Sequence, residues 1–139
     1  LVAITPAAGT VDLLGAFAIG IITPIICFFM VAVVKARFKY DDALDAFGVH
    51  GVGGIVGSVL TGVFATQAIT GEGGVQGSLY GDWHQLWVQL IATMFCIAFS
   101  AIVTAVLFFL VDKTVGIRVD KRVEEEGLDI YEHGESAYN

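Results

Sequence analysis

Three runs without a single Asp, Glu, Lys or Arg, residues 13–34, 46–69 and 85–111, constrain this chain more than anything else in it. At 1.5 Å per helical residue, each is long enough to cross the ~30 Å hydrocarbon core of a bilayer. Backbone N–H and C=O groups find no water there, so such a run must satisfy its hydrogen bonds within itself, as a helix. With 56% hydrophobic and 15% charged residues, the 139-residue chain is too apolar for a water-soluble domain. The predicted class is an all-α integral membrane protein. A transmembrane region covers 1–111, with spans at about 13–34, 43–66 and 85–111, and a tail follows over 112–139.

Charge gives the orientation. If each run crosses once, Lys35, Arg37, Lys39, Lys113, Arg118, Lys121 and Arg122 all fall on one side, which the positive-inside rule makes cytoplasmic. The chain is then a multi-pass protein of the cell membrane, with loop 35–42 and the tail inside. The formal charge of −7 is uneven: residues 1–118 carry seven acids and five bases, 119–139 seven and two. An acidic tail argues against nucleic-acid binding and for a soluble, regulated segment. Leu1–Ala8 has no positively charged leader pattern and reads as the end of an earlier membrane helix, so the chain is expected to be a piece of a longer one. Cys27 and Cys96 lie inside apolar runs without metal-ligand or redox spacing and are read as small hydrophobes. No metal or cofactor is implied.

The middle run places one imidazole, His50, among Gly48, Gly51, Gly53, Gly54 and Gly57. Glycine costs about 1 kcal/mol in an exposed helix interior, so this density makes sense where helices approach closely in a membrane. Gly53-x-x-x-Gly57 and Ser58-x-x-x-Gly62 are small-xxx-small pairs of that kind. On a regular helix Ala46, Phe47, Gly53, Gly54 and Gly57 share the face of His50. That face should pack against protein or line a cavity rather than meet lipid.

Around this segment, Asp12 is placed to cap the first span, and Pro24 should kink it. Asp41, Asp42 and Asp45 read by default as caps of the second span. Asp45 sits deeper than a cap usually does, and could instead order the loop or pair with a Lys or Arg. Thr5-Pro6 marks a helix end, with Thr5 either a bystander or a pore-facing hydroxyl. The glycine-rich loop 66–83 should be exposed and irregular. Tyr80, Trp83, His84 and Trp87 form an interfacial aromatic belt, and the third span looks lipid-facing. The tail has isolated apolar residues including Val123, Leu128 and Tyr138, and 124–129 is expected to form a turn exposing carboxylates.

Thr5-Pro6-Ala7, Asp41-Asp42-x-x-Asp45-x-Phe47-Gly48-Val49-His50-Gly51-x-x-Gly54, Thr61-Gly62-x-Phe64-Ala65, Val115-Gly116-Ile117-Arg118-Val119 and Gly127-Leu128-Asp129 occur in that order. The chain thereby resembles the C-terminal third of the Amt/Mep/Rh ammonium transporters. The resemblance implies the last three helices of an eleven-helix inverted-repeat bundle, assembled as a homotrimer with one narrow apolar pore per protomer. It makes His50 one of two paired pore histidines, with Thr5 and Ala46 beside the same pore. Ala46 stands where a larger aliphatic residue can occur. Asp41, Asp42, Asp45, Gly54, Arg118, Gly127, Leu128 and Asp129 take structural or regulatory roles, and a PII-type regulator is implied at the cytoplasmic face.

The implied activity is transport of ammonium or ammonia, not enzymatic catalysis. A bare ammonium ion is costly to move into an apolar channel, whereas ammonia is not. A desolvated neutral imidazole can donate and accept a hydrogen bond along such a path. On a helix starting near Asp41, His50 lies ~13 Å along the axis, near mid-bilayer. The alternatives are a haem-binding anchor, in which His50 and His84 would be ligands, and a purely structural membrane subunit. Their different depths argue against one haem between those two histidines.

Overall fold

Every regular element in the computed structural model, which describes residues 1–135, is helical; the one pairing of extended backbone among them is an isolated bridge between Val11 and Ala65. Tyr138, counted above among the apolar residues of the tail, lies outside the described residues. The chain divides into two units, Leu1–Ile97 and Ala98–Asn139.

In the first unit, a short 3-10 turn over Val2–Ile4 precedes α1, Leu13–Phe38. Asp12 caps α1 as expected: its side chain accepts from the Gly15 N–H at 2.8 Å. The helix continues through Pro24. Its hydrogen bonding widens to the π type further on, over Met30–Lys35, and the helix ends before Lys39, which adopts a left-handed φ of 52°. The second long helix, α2, is Phe47–Phe64, and it too contains a π segment, Phe47–Gly51, at its start. A single turn, α3, Gln67–Thr70, leads through the glycine-rich loop to the longest helix, α4, Trp83–Thr114. Like α1 and α2, α4 is long and apolar enough to cross a membrane.

The covered helix is α2. Gly53, Gly57, Thr61 and Gly62 are buried along it, while α4 has no buried residue. The second glycine of each small-xxx-small pair serves close approach. A β-carbon on Gly57 would collide with the backbone carbonyl of Ala3, and one on Gly62 would stand 2.8 Å from the Leu86 Cα of α4. Ala3, Ala7 and Ile19 form the buried centre, flanked by Ile4, Val11, Leu60 and Phe64.

Loop 66–83 is more ordered than its composition predicts. The Thr66 hydroxyl accepts from Ala68 N–H, Gln67 Nε2 donates to the Gly74 carbonyl, and Gln76 Nε2 donates to the Tyr80 carbonyl. The Thr66 N–H donates to Thr10 at 2.8 Å, tying the loop to the entry of α1. Side-chain amides and hydroxyls thus supply partners that the irregular backbone cannot supply itself.

The second unit contains the end of α4 and two short helices, α5, Lys121–Glu126, and α6, Leu128–His133. This corrects the expected turn over 124–129: only Gly127, at φ 95°, leaves helical geometry. Ion pairs at i,i+4, Lys121 with Glu125 and Arg122 with Glu126, favour winding this charged stretch into a helix. Val123 on α5 is buried.

Candidate functional site

The segment around His50 is built from its first turn. Asp42 accepts from the Ala46 N–H at 2.8 Å with one carboxylate oxygen and from the Phe47 N–H at 3.0 Å with the other. Two donors that the helix leaves unpaired are satisfied in this way. Asp45 behaves differently. Its backbone sits at φ 56°, its carbonyl accepts from Val49 N–H at 2.9 Å, and its carboxylate accepts from Lys35 Nζ at 2.5 Å. The open choice for Asp45 is therefore resolved toward pairing with a lysine. Lys35 Nζ also donates to the Asp42 carbonyl at 2.6 Å, so a base at the end of α1 holds both aspartates.

Beyond that turn the chain winds as a π segment, closed by Val52 N–H donating to Phe47 O five residues back. The shared face drawn above on a regular period holds only in part: Ala46 and Phe47 are exposed as His50 is, whereas two of the glycines are not. Gly53 and Gly57 are buried, Gly53 against Cys27 and Val2, and Gly57 against Ala3. His50, Phe47 and Ala46 are exposed on this chain. A β-carbon on Gly54 would meet open space. Gly48 is buried instead, where a β-carbon would lie 2.7 Å from Val31 in the π segment of α1. Gly48, Gly53 and Gly57 thus lie covered on α2 while the imidazole does not.

Thr5 is exposed, and its hydroxyl donates to the Leu1 carbonyl at 3.2 Å. A cavity of about 250 Å³ opens between the N-terminal turn and α1, lined by Ala3, Ile19, Thr23, Cys27 and Val49 among others. Thr5, Ala46 and His50 do not line it. All three residues, which the resemblance places at the pore, are exposed on this chain. They lie on surfaces that face outward from it.

Two charged contacts outside the spans shift the titration of a side chain. At the far end of α1 the Tyr80 hydroxyl donates to Asp12 at 3.2 Å. Removal of that hydroxyl from water, together with the neighbouring carboxylate, raises the phenol above its ordinary value. In the second unit Arg118 forks onto Glu124, Nη2 to Oε1 at 2.5 Å and Nε to Oε2 at 3.3 Å, and holds that carboxyl below its usual range. Gly127 has a positive φ of 95°, and Leu128 and Asp129 begin α6. Lys35 is a residue of the site that the sequence does not single out: it reads as a topology-setting base at the end of the first span, and its pairing with Asp45 across the loop leaves no local signal.

Comparison with known proteins fits this arrangement. The chain is 52% identical to the ammonium transporter of Aquifex aeolicus over 139 residues, covering all of this chain and 32% of that protein. It is 45% identical to the ammonium transporter of Bacillus subtilis over 138 residues, 99% of this chain and 34% of that one. Among solved structures it resembles Saccharomyces cerevisiae Mep2 with a TM-score of 0.78 and 32% identity, over 86% of this chain and 28% of that one. The chain thus spans about a third of the length of the relatives it matches. A family model described as the Ammonium Transporter Family matches residues 1–138, and with that match running nearly end to end over an all-helical chain with three apolar spans, the chain belongs to the ammonium transporter family.

Proposed function

We propose that this chain forms the C-terminal part of a transporter that carries ammonium or ammonia across the cell membrane, with His50 as one of two paired pore histidines. The observation that carries the reading is His50 itself. It stands within the family's Asp-Asp…Phe-Gly-Val-His-Gly string, on a π turn whose buried side is taken by Gly48. The imidazole is left on the outward side of α2, available to the portion of the relatives that this chain does not span.

In this reading Thr5 and Ala46 border the same pore, which the remaining length of the transporter completes. The imidazole pair holds ammonia or water by hydrogen bonds and assists removal of the proton whose charge makes the ion costly to desolvate. Asp41, Asp42, Asp45 and Gly54 shape the helix that presents it. Residues 1–111 form the transmembrane region and 112–139 the tail; loop 35–42 and the tail are cytoplasmic, where all seven bases fall. The protein is a homotrimer. Arg118, Gly127, Leu128 and Asp129 couple the tail to the membrane region, and a PII-type regulator docks at that face.

The test is His50→Ala in the full-length transporter, reconstituted in lipid vesicles, with methylammonium uptake and ammonium-evoked current as readouts. Loss or alteration of both is expected with assembly intact. Unchanged transport by a correctly assembled variant would remove His50 from the pore.

A further inference from the structure

Lys35 reaches across the loop between the first two spans and touches α2 at its origin. Its ammonium group donates to the Asp42 carbonyl at 2.6 Å and to the Asp45 carboxylate at 2.5 Å. Both partners are turn-forming residues for the same helix. Asp42 caps the Ala46 and Phe47 amides, and Asp45 supplies the carbonyl for Val49 N–H while held at φ 56°. A side chain with a β-carbon rarely adopts that backbone conformation unless something fixes it.

The five residues that follow, Phe47–Gly51, are the π turn. An isolated π turn inside an α-helix is held by its surroundings rather than by intrinsic preference. Its hydrogen-bond register depends on where the helix starts, and Lys35 fixes that start. A slip of one residue would rotate each side chain in the turn by about 100° around the helix axis, since 3.6 residues complete a turn. His50 would then leave the face it now occupies.

We propose that Lys35 is a positioning residue for His50: its ammonium group clasps the two aspartates from which α2 is wound and so fixes the rotational register of the π turn carrying the imidazole. The role in transport rests on the reading of His50 as a pore residue. The register itself does not.

The experiment uses Lys35→Met, Lys35→Arg, Asp45→Asn and the double variant Lys35→Met with Asp45→Asn in the full-length transporter in lipid vesicles. Lys35→Met is expected to lower the maximal rate of methylammonium uptake roughly tenfold to a hundredfold, the scale of a misplaced functional group, with KM little changed. Lys35→Arg, which keeps the charge and the donors, should recover most of the rate. Asp45→Asn should lose rate as Lys35→Met does, and the double variant should be no worse than either single one. Full rate in Lys35→Met, or losses that simply add in the double variant, overturns the clasp.

A high-resolution structure of Lys35→Met gives a readout independent of transport. Val52 N–H is expected to move from the Phe47 carbonyl to that of Gly48, turning the imidazole; an unchanged π turn overturns the inference. If the parent transporter itself moves no methylammonium, the transport reading fails and the structure of this variant decides the clasp.

Discussion

Gly57 lies with its Cα against the backbone of Ala3, so close that a β-carbon placed on it would run into the Ala3 carbonyl. The obstacle is main chain rather than the tip of a mobile side chain, so it cannot be turned aside by a rotamer change. The contact joins α2 to the N-terminal turn at the same buried centre that Ala3 and Ile19 fill.

Gly57→Ala should therefore destabilise the full-length protein by about 1–3 kcal/mol, the usual cost of overpacking. Thermal unfolding in detergent checks it. A transition at or above that of the wild type would show that the turn can step aside.

A second long-range contact sits at the other end of α1, where Tyr80 and Asp12 are 68 residues apart in sequence and 3.2 Å apart in space. Asp12 also caps Gly15, so Tyr80→Phe leaves the cap in place and removes only the link to the loop. The loss should be about 1 kcal/mol, at the low end for a hydrogen bond to a charged group because the site is partly open to water. The sign of its pH dependence follows from the raised phenol. Burial and Asp12 favour the neutral form, so the contribution is fully present below the ordinary value of 10.0. It is lost as pH rises through the higher value in the folded chain. The difference in unfolding temperature between wild type and Tyr80→Phe should stay constant on the neutral side and shrink in alkaline solution.

The tail carries a titration of the opposite sense. Arg118 lowers the carboxyl of Glu124 from 4.5, so the pairing is present above that value and is lost as pH falls through the lower one in the folded chain. Hydrogen-exchange protection of the α5 amides, corrected for intrinsic rates, should hold steady down to about pH 5 and fall in more acid solution. Arg118→Gln should flatten that acid limb. A limb that persists in the variant would assign the loss to other carboxylates.

The three long helices and the cap at Asp12 were legible from run lengths and from an aspartate ahead of an apolar stretch, because neither depends on anything far away. Gly57 and Gly62 were legible as close-approach points, though not what approaches them. The side that His50 faces was not legible. The regular period used to place it assumes 3.6 residues per turn, and the π segment at Phe47–Gly51 breaks that period just where the imidazole sits. Asp45 could be left only as cap, loop-ordering residue or ion pair, since a partner ten residues away is chosen by the loop and not by local spacing. In the tail the signal was present and misread. Lys121 with Glu125 and Arg122 with Glu126 carry i,i+4 complementarity, yet the run of acids before Gly127 suggested a turn.

The caps of α2 can be tested apart from the clasp. Lys35 holds Asp42 by its backbone carbonyl, whereas the cap to Ala46 and Phe47 is made by the Asp42 side chain. Asp42→Ala therefore removes the cap and keeps the lysine's acceptor. Losing both cap bonds should cost roughly 0.5–2 kcal/mol, and Asp42→Asn less, because an amide oxygen still accepts. The loss should be local, with faster exchange of the Ala46 and Phe47 amides than of Thr61, which lies deep in the packed part of α2 at 2% exposure. Equal acceleration at Thr61 would mean that the first turn and the packed glycine face open together, and that α2 is a single cooperative unit from Asp42 onward.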